Sequence, residues 1–433
     1  MCLSLQQFLE DSIMAKYLDR YIDSVIERKL KSCGVVVVSG PKFCGKTTTS
    51  ERFAKSEVKL NTRQMIQLAR MEPRNMLLGE KPHLIDEWQT APDIWNVAKE
   101  WIDEHPEFGQ FILTGSSTPA DKTQIYHSGA GRIVTLMMRP MSLAESKDSR
   151  GSVSLYDLFD NPDLAIFDMN EGFSLSDMAF FVCRGGWPLS IQEDRQVALD
   201  VTQNYYQGLF SFENSENKKF RGKSPEVMRM ILRSYARNIS SEASYQTLID
   251  DVVKSNNRTM DSKTFDDYMD ALKDLYILED IEAWNPNLRS KTVVRSTSTR
   301  HFVDASIACQ ALGIKPADLM KDLNSFGLFF EDMAVRDLKI YSMRRGGEVR
   351  HYRDSRGLEC DAVVHLEDGR WALIEVKLGG DDLIEDGAKN MMKIKKDINS
   401  QQEPSFMMVL TATGPAYRRE DGVYVVPLNC LKE

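Results

Sequence analysis

Apolar and polar positions along this chain change period several times, and each change marks an element. Leu18, Ile22, Ile26 and Leu30 recur at helical spacing within a charged stretch, which predicts one or two helices over residues 1–30. Val35–Val38 then form an unbroken β-branched run, the pattern of a strand buried on both faces of a parallel sheet. Two more apolar runs, "HLID" ending at Asp86 and "FILTG" ending at Gly115, alternate with helical text up to about residue 140, as in a parallel α/β sheet. A polar stretch follows near 146–163, and "GGWP" at Gly185–Pro188 is a turn signal. Residues 195–280 read as amphipathic helices, for example "FDDYMDALKDLYILEDI". An Asn-Pro-Asn turn and a basic hairpin-like segment with Arg289, Lys291, Arg295 and Arg300 come next. Helices followed by a basic hairpin predict a winged-helix-like middle domain. Its wing either reaches for a phosphate backbone or is a solvated strand face. From Phe329 onward the order is helix, strand, hairpin.

Composition narrows the class. The chain has 433 residues and a formal net charge of −9, enough length for two or three domains with their own cores. The acidic balance argues against indiscriminate nucleic-acid binding, though not against a local basic patch. Seven cysteines stand without Cys-x-x-Cys spacing, so neither a disulfide framework nor a zinc site is expected. The first 30 residues lack a basic and an apolar signal region, and no window has the roughly 18 apolar residues of a membrane span. The expectation is a cytoplasmic protein with no membrane association.

The first chemical signal is Gly40-x-x-x-x-Gly45-Lys46-Thr47. Strand, glycine-bounded loop and helix follow in the order a phosphate-cradling P-loop needs, with N–H groups turned inward. Gly40, Gly45, Lys46, Thr47 and Thr48 are the expected ATP-binding residues, Thr47 also as a Mg²⁺ ligand. Cys44 within the loop is a small filler or a redox-sensitive thiol. Asp86, at the end of its strand, is expected to hold Mg²⁺, and Glu87 to polarise the attacking water. Thr114 or Ser116, at the tip of the next strand, is placed to meet the γ-phosphate or that water. Arg132 follows a flexible Gly-Ala-Gly and is the candidate arginine finger, delivered from a neighbouring copy in a homo-oligomer; Arg139 reads as structural.

The second signal lies near the C-terminus. Glu375 and Lys377, two apart in the strand "RWALIEVK", share a face. Asp361 opens the strand "DAVVHL", and Glu331 lies on the preceding helix. Carboxylates converging from adjacent strands make an oxygen site for Mg²⁺, so Glu331, Asp361 and Glu375 are metal-ligand candidates and Lys377 a catalytic one. Glu359 would share Asp361's face and competes with it for the metal. For one site, Asp361 must oppose an odd-numbered residue across the hairpin. Asp361 opposite Lys377 is the expected register, with a three- or five-residue loop or a bulge in "EDGR".

Taken in order, "GPKFCGKT", "HLIDEWQ", "FILTGSS", "GAGRI", "GGWP" and "LECDAVV…LIEVK" resemble a family of prokaryotic AAA-superfamily ATPases whose C-terminal domain looks like a PD-(D/E)XK nuclease. The resemblance covers nearly the whole chain. It implies the Walker roles for Lys46, Thr47, Asp86 and Glu87, a sensor-like role for Thr114, and nuclease-core positions for Asp361, Glu375 and Lys377, with Glu331 in an accessory helix. No sensor-2 arginine is evident. The implied α/β architecture is a P-loop parallel-sheet ATPase domain (1–195), a helical winged-helix-like domain (196–310) and a restriction-endonuclease-like domain (311–433). The implied partners are ATP, Mg²⁺ and DNA. The alternatives are an ATP-controlled DNA- or protein-binding switch whose C-terminal fold is catalytically silent, and a signalling ATPase with protein partners.

Overall fold

The structure is a computed structural model. It describes residues 17–119, 129–210, 222–256, 259–285, 297–354, 357–398 and 402–433. The first sheet has five parallel strands: β1 (Val35–Ser39), β2 (Ser56–Lys59), β3 (His83–Asp86), β4 (Phe111–Gly115) and β5 (Ile133–Met137), in the order β2-β3-β4-β1-β5. The β-branched run of β1 is central and wholly buried, as a strand covered on both faces requires. Because β4 lies between β1 and β3, Val38, Thr114 and Asp86 stand in one row at the C-terminal ends of their strands. The helix Tyr21–Leu30 packs Ile22 and Ile26 against one face of the sheet.

The second sheet has seven strands: β7 (Phe167–Asp168), β8 (Glu348–Arg353), β9 (Glu359–His365), β10 (Trp371–Lys377), β11 (Met407–Thr411), β12 (Ala416–Arg418) and β13 (Tyr424–Pro427). Its order is β7-β12-β13-β11-β10-β9-β8. The helix Leu323–Ser342 covers one face and the helix Asp381–Asp397 the other.

Two features differ from the expected domain limits. Residues 149–170, placed in the ATPase domain from sequence, join the C-terminal region. β7 pairs with β12, β6 (Val153–Ser154) pairs with β14 (Leu431–Lys432), and Asn170 and Asn429 exchange side-chain hydrogen bonds of 3.0 and 2.7 Å. Two-residue strands carry no readable period, so only tertiary pairing defines them. The helices of the middle region also share a continuous apolar core with the second sheet, running from Leu143 to Leu431.

Two antiparallel bridges, Leu278 with Phe302 and Ile281 with Thr299, join residues read from sequence as the end of a helix to the end of the expected hairpin-like segment. Arg289, Lys291 and Arg295 lie outside the described residues. Arg300 departs from its expected place on a basic wing. It is buried, donates to Asp280 at 2.8 Å and to the Ala243 carbonyl at 2.9 Å, and lies over the Tyr245 ring. The "GGWP" turn is a joint between regions: the Gly186 N–H donates to Asp304, the Gly186 carbonyl accepts from Met141, and the Trp187 indole donates to Ser306. Arg336 of the long helix bonds the same Asp304 at 2.6 Å. Among the described residues, no helix is long and apolar enough to cross a membrane.

Candidate functional site

At the C-terminal end of the first sheet, Gly40 passes so close to β5's continuation that a Cβ there would lie 2.1 Å from the Met138 carbonyl oxygen. Only glycine permits that approach. Cys44 is fully buried behind the loop with its thiol on the Met138 carbonyl, the small-filler arrangement. Lys46 is buried and donates to the Pro41 carbonyl at 2.7 Å. The Thr47 hydroxyl donates to Asp86 Oδ1 at 2.9 Å, and the Thr114 hydroxyl donates to the same oxygen. Thr48 is exposed, within the helix Lys46–Glu51 that follows the loop. Glu87 takes a left-handed backbone (φ 60°), which turns it away from Asp86. Its Oε2 accepts from Ser116 at 2.9 Å and from Gln89. Gly40, Gly45, Lys46, Thr47, Asp86, Glu87, Thr114 and Ser116 are thus gathered at one end of the sheet.

Arg132 is not brought there. It precedes β5 beside Val35, where its carbonyl accepts from the Val35 N–H, and its guanidinium pairs with Asp103. A five-residue strand rises about 16 Å, so Arg132 sits at the far end of the sheet from the P-loop of its own chain. Arg139 pairs with Glu279 through both oxygens, a structural contact as expected.

The second candidate site lies where β9 and β10 part. The hairpin loop is three residues, Glu367–Gly369, closed by Leu366 N–H to the Arg370 carbonyl at 2.8 Å, with Gly369 left-handed at φ 89°. An odd loop was expected. The register differs by one pair: Ile374 faces Ala362, so Asp361 falls opposite Glu375 rather than Lys377. The turn centres on Asp368 because Gly369 takes the last, left-handed loop position.

On the other side of β9, Arg350 pairs with Val363 and Tyr352 with Cys360. His351 alone therefore faces Asp361 and Ala362, a bulge of the kind that re-aims a side chain. Asp361 Oδ2 accepts from the Val376 N–H at 2.7 Å and lies 3.7 Å from Lys377 Nζ. Lys377 donates to Glu375 Oε1 at 2.8 Å. Glu375 Oε2 is buried without a hydrogen-bond partner.

Burial, then the charge of Asp361, push the Glu375 carboxyl up to about 8, against the pull of Lys377. Burial and Asp361 likewise hold the half-buried Glu331 well above the usual carboxylate range. Burial disfavours the Lys377 ammonium, but Asp361 and Glu375 outweigh it and raise its pKa. Glu331, Asp361 and Glu375 do not close into a three-carboxylate centre: among the described residues, no three His, Cys, Asp or Glu side chains form a group able to hold a metal. Glu359 is exposed and pairs with Arg353 at 3.6 Å. An orphaned, buried Glu375 oxygen beside Asp361 nevertheless suits a hard cation that keeps most of its waters.

Residues 32–147 match the family described as AAA domain. They form an AAA-type P-loop domain. Residues 175–318 and 326–431 match two families, each described as a domain of unknown function (DUF8612 and DUF4143). The chain is also similar to uncharacterized proteins of Mycobacterium tuberculosis (strain H37Rv) and Mycobacterium bovis. Each is 22% identical over 358 residues, covering 81% of this chain and 72% of the relative.

Three residues around these sites escaped sequence reasoning. Arg20, in the charged text before the AAA domain, reads as solvated. It is 6% exposed, with Nη1 on the Cys44 carbonyl at 2.9 Å, Nη2 on the Arg139 carbonyl at 2.7 Å and Nε 3.2 Å from Glu145. Gln89 steadies Glu87, and nothing in the spacing marks it. Asn390 reaches the Glu359 carbonyl at 2.7 Å and interacts with Glu375. Its helix carried one signal, the isolated Gly387, where a Cβ would lie 3.2 Å from Glu375 Cγ.

Proposed function

We propose that the chain binds and hydrolyses ATP at its P-loop end and couples this to a Mg²⁺-dependent nuclease-like site on the second sheet that acts on DNA. The observation carrying the first half is the convergence of Thr47 and Thr114 on Asp86, with Glu87 held one residue away by Ser116 and Gln89. Lys46 and Thr47 would exchange Pro41 and Asp86 for phosphate oxygens and Mg²⁺. Glu87, as a fixed carboxylate, would accept the proton of the attacking water. Magnesium would neutralise phosphate charge at both sites. At the second, Glu375 and Asp361 would hold it and Lys377 would steady the anionic phosphate.

The test is one preparation assayed for ATPase and for cleavage of mixed DNA substrates with Mg²⁺ or Mn²⁺, each with and without the other site's ligand. Lys46→Ala is expected to abolish nucleotide binding, and Asp361→Ala or Lys377→Ala to abolish cleavage alone. A second reading is an ATP-controlled DNA- or protein-binding switch. The open carboxylate geometry, with Glu375 Oε1 occupied by Lys377, favours it. DNA retained at low salt without cleavage would select that reading, and no DNA binding would leave a protein-directed ATPase.

A further inference from the structure

The segment Asp274–Trp284 runs from one candidate site to the other. At its start, Asp274 accepts the Thr118 N–H at 3.0 Å and the Thr118 hydroxyl at 2.6 Å. Thr118 lies two residues beyond Ser116, the partner of Glu87. Tyr276 has a left-handed backbone (φ 57°), and its phenol interacts with Ser39, the last residue of β1. Glu279 then grips Arg139 at 2.8 and 3.0 Å, and the Arg139 carbonyl is tied through Arg20 to Cys44 of the P-loop. Glu279 also pairs with Lys339 at 3.3 Å, on the long helix two turns beyond Glu331. Burial pushes the Glu279 carboxyl up, but Arg139 and Lys339 outweigh it and hold it at about 2.

At its far end the segment docks on the edge of the second sheet. The Glu282 carbonyl accepts from His351 N–H at 3.0 Å, the Trp284 N–H donates to the His351 carbonyl at 2.6 Å, and the Trp284 ring lies 4.6 Å from that of Trp371. His351 is the β8 residue that faces the Asp361–Ala362 bulge. Backbone pairing thus runs from the segment to β8 at His351, and from β8 to the strand carrying Asp361 through the flanking residues Arg350 and Tyr352.

A nucleotide can shift this arrangement only through contacts that differ with and without it. Such contacts are at hand, because Lys46 and Thr47 are now spent on Pro41 and Asp86, and Asp86 also takes Thr114. Moving Thr47 to a phosphate-bound cation would change what Asp86 holds, and with it Thr114 at the end of β4 and the residues Ser116–Thr118 that follow. Resting on the ATP-binding reading above, we propose that Asp274–Trp284 is a connector through which nucleotide at the P-loop sets the placement of Asp361, with Glu279 as its positioning residue. The warrant is a contiguous chain of hydrogen bonds and ion pairs that meets both sites.

The test is hydrogen exchange on the full chain, with and without Mg²⁺ and the non-hydrolysable ATP analogue adenylyl imidodiphosphate, whose binding is measured separately by calorimetry. In the wild type the analogue is expected to change exchange of β8 and β9 amides on the order of fivefold or more, the low end of ordinary coupling. Glu279→Gln, and the milder Thr118→Val, are expected to bind the analogue and lose that change. If either variant fails to fold, as judged by circular dichroism, the other still decides. Bound analogue with unchanged β8–β9 exchange in the wild type, or a full response kept by the folded variants, overturns the connector and leaves the ATP-binding reading standing. Absence of analogue binding to the wild type overturns both.

Discussion

Glu87 differs from its neighbour Asp86 by one residue and by a left-handed backbone, and under the proposed function that difference would separate metal holding from proton transfer. Glu87→Gln keeps the size and the Ser116 contact while removing the capacity to accept a proton. ATP binding by calorimetry is expected to persist while turnover falls about 10²–10⁴-fold, the usual worth of a general base; wild-type turnover in the variant would remove Glu87 from the role. His351 offers a pH test. Burial, then the nearby His301, lower its pKa to about 4 from an ordinary 6.5. The unfolded chain therefore binds this proton more readily than the native one. Stability from this group is complete above about pH 6.5 and is lost as pH falls toward 4, up to about 3 kcal/mol. Denaturant titrations of wild type and His351→Gln at pH 7 and pH 4.5 check it. The variant should lose less stability on acidification, and equal losses would discharge His351.

At the scale of the element, the β9–β10 hairpin shows how register makes a site. Asp361 and Glu375 come together because the loop has an odd number of residues and because β9 bulges at Asp361–Ala362. Gly369 supplies the left-handed residue of that loop. Gly369→Ala places a Cβ at φ 89° and is expected to cost about 1–2 kcal/mol, read as a lower thermal midpoint with ATPase turnover at 25 °C kept. An unchanged midpoint would mean that the loop does not hold the register. The parity of this hairpin was legible in the sequence, since Asp361, Glu375 and Lys377 all carry odd numbers. The choice between Glu375 and Lys377 as the partner of Asp361 was not, because a loop centred on Asp368 and one centred on Gly369 satisfy the same alternation. The bulge was illegible for a similar reason. It inserts one residue into β9 without disturbing the apolar text.

At the scale of the whole molecule, a shared core joins the middle helices to the second sheet, and residues 149–170 complete that sheet. A fragment 311–433 would lack β6, β7 and the apolar partners of the long helix. It is expected to show no cooperative thermal transition, whereas a fragment 149–433 should show one. Cooperative unfolding of the shorter piece would restore the boundary read from sequence. Arg132 belongs to this scale too. Its place at the far end of the first sheet lets it reach a P-loop only in another copy. Mixing Arg132→Ala with Lys46→Ala protein is expected to restore part of the ATPase rate in mixed oligomers, and no rescue there would assign Arg132 to its ion pair with Asp103.

By itself the sequence determined what depends on contiguous residues. The β-branched run, the glycine-bounded loop and the acid-tipped strand define the P-loop end because each element's period and its ending side chain are local. The pairing of an acid and a lysine on one strand face is local as well. What only the tertiary structure decided is which distant groups meet. Arg20 reads as one more solvated charge until folding sets it behind Cys44. Asp274, Glu279 and Trp284 read as the end of an amphipathic helix and its turn until they touch Thr118, Arg139 and His351. Such contacts join residues far apart along the chain. Their energy comes from burial and partner geometry, which no period of apolar and polar positions encodes.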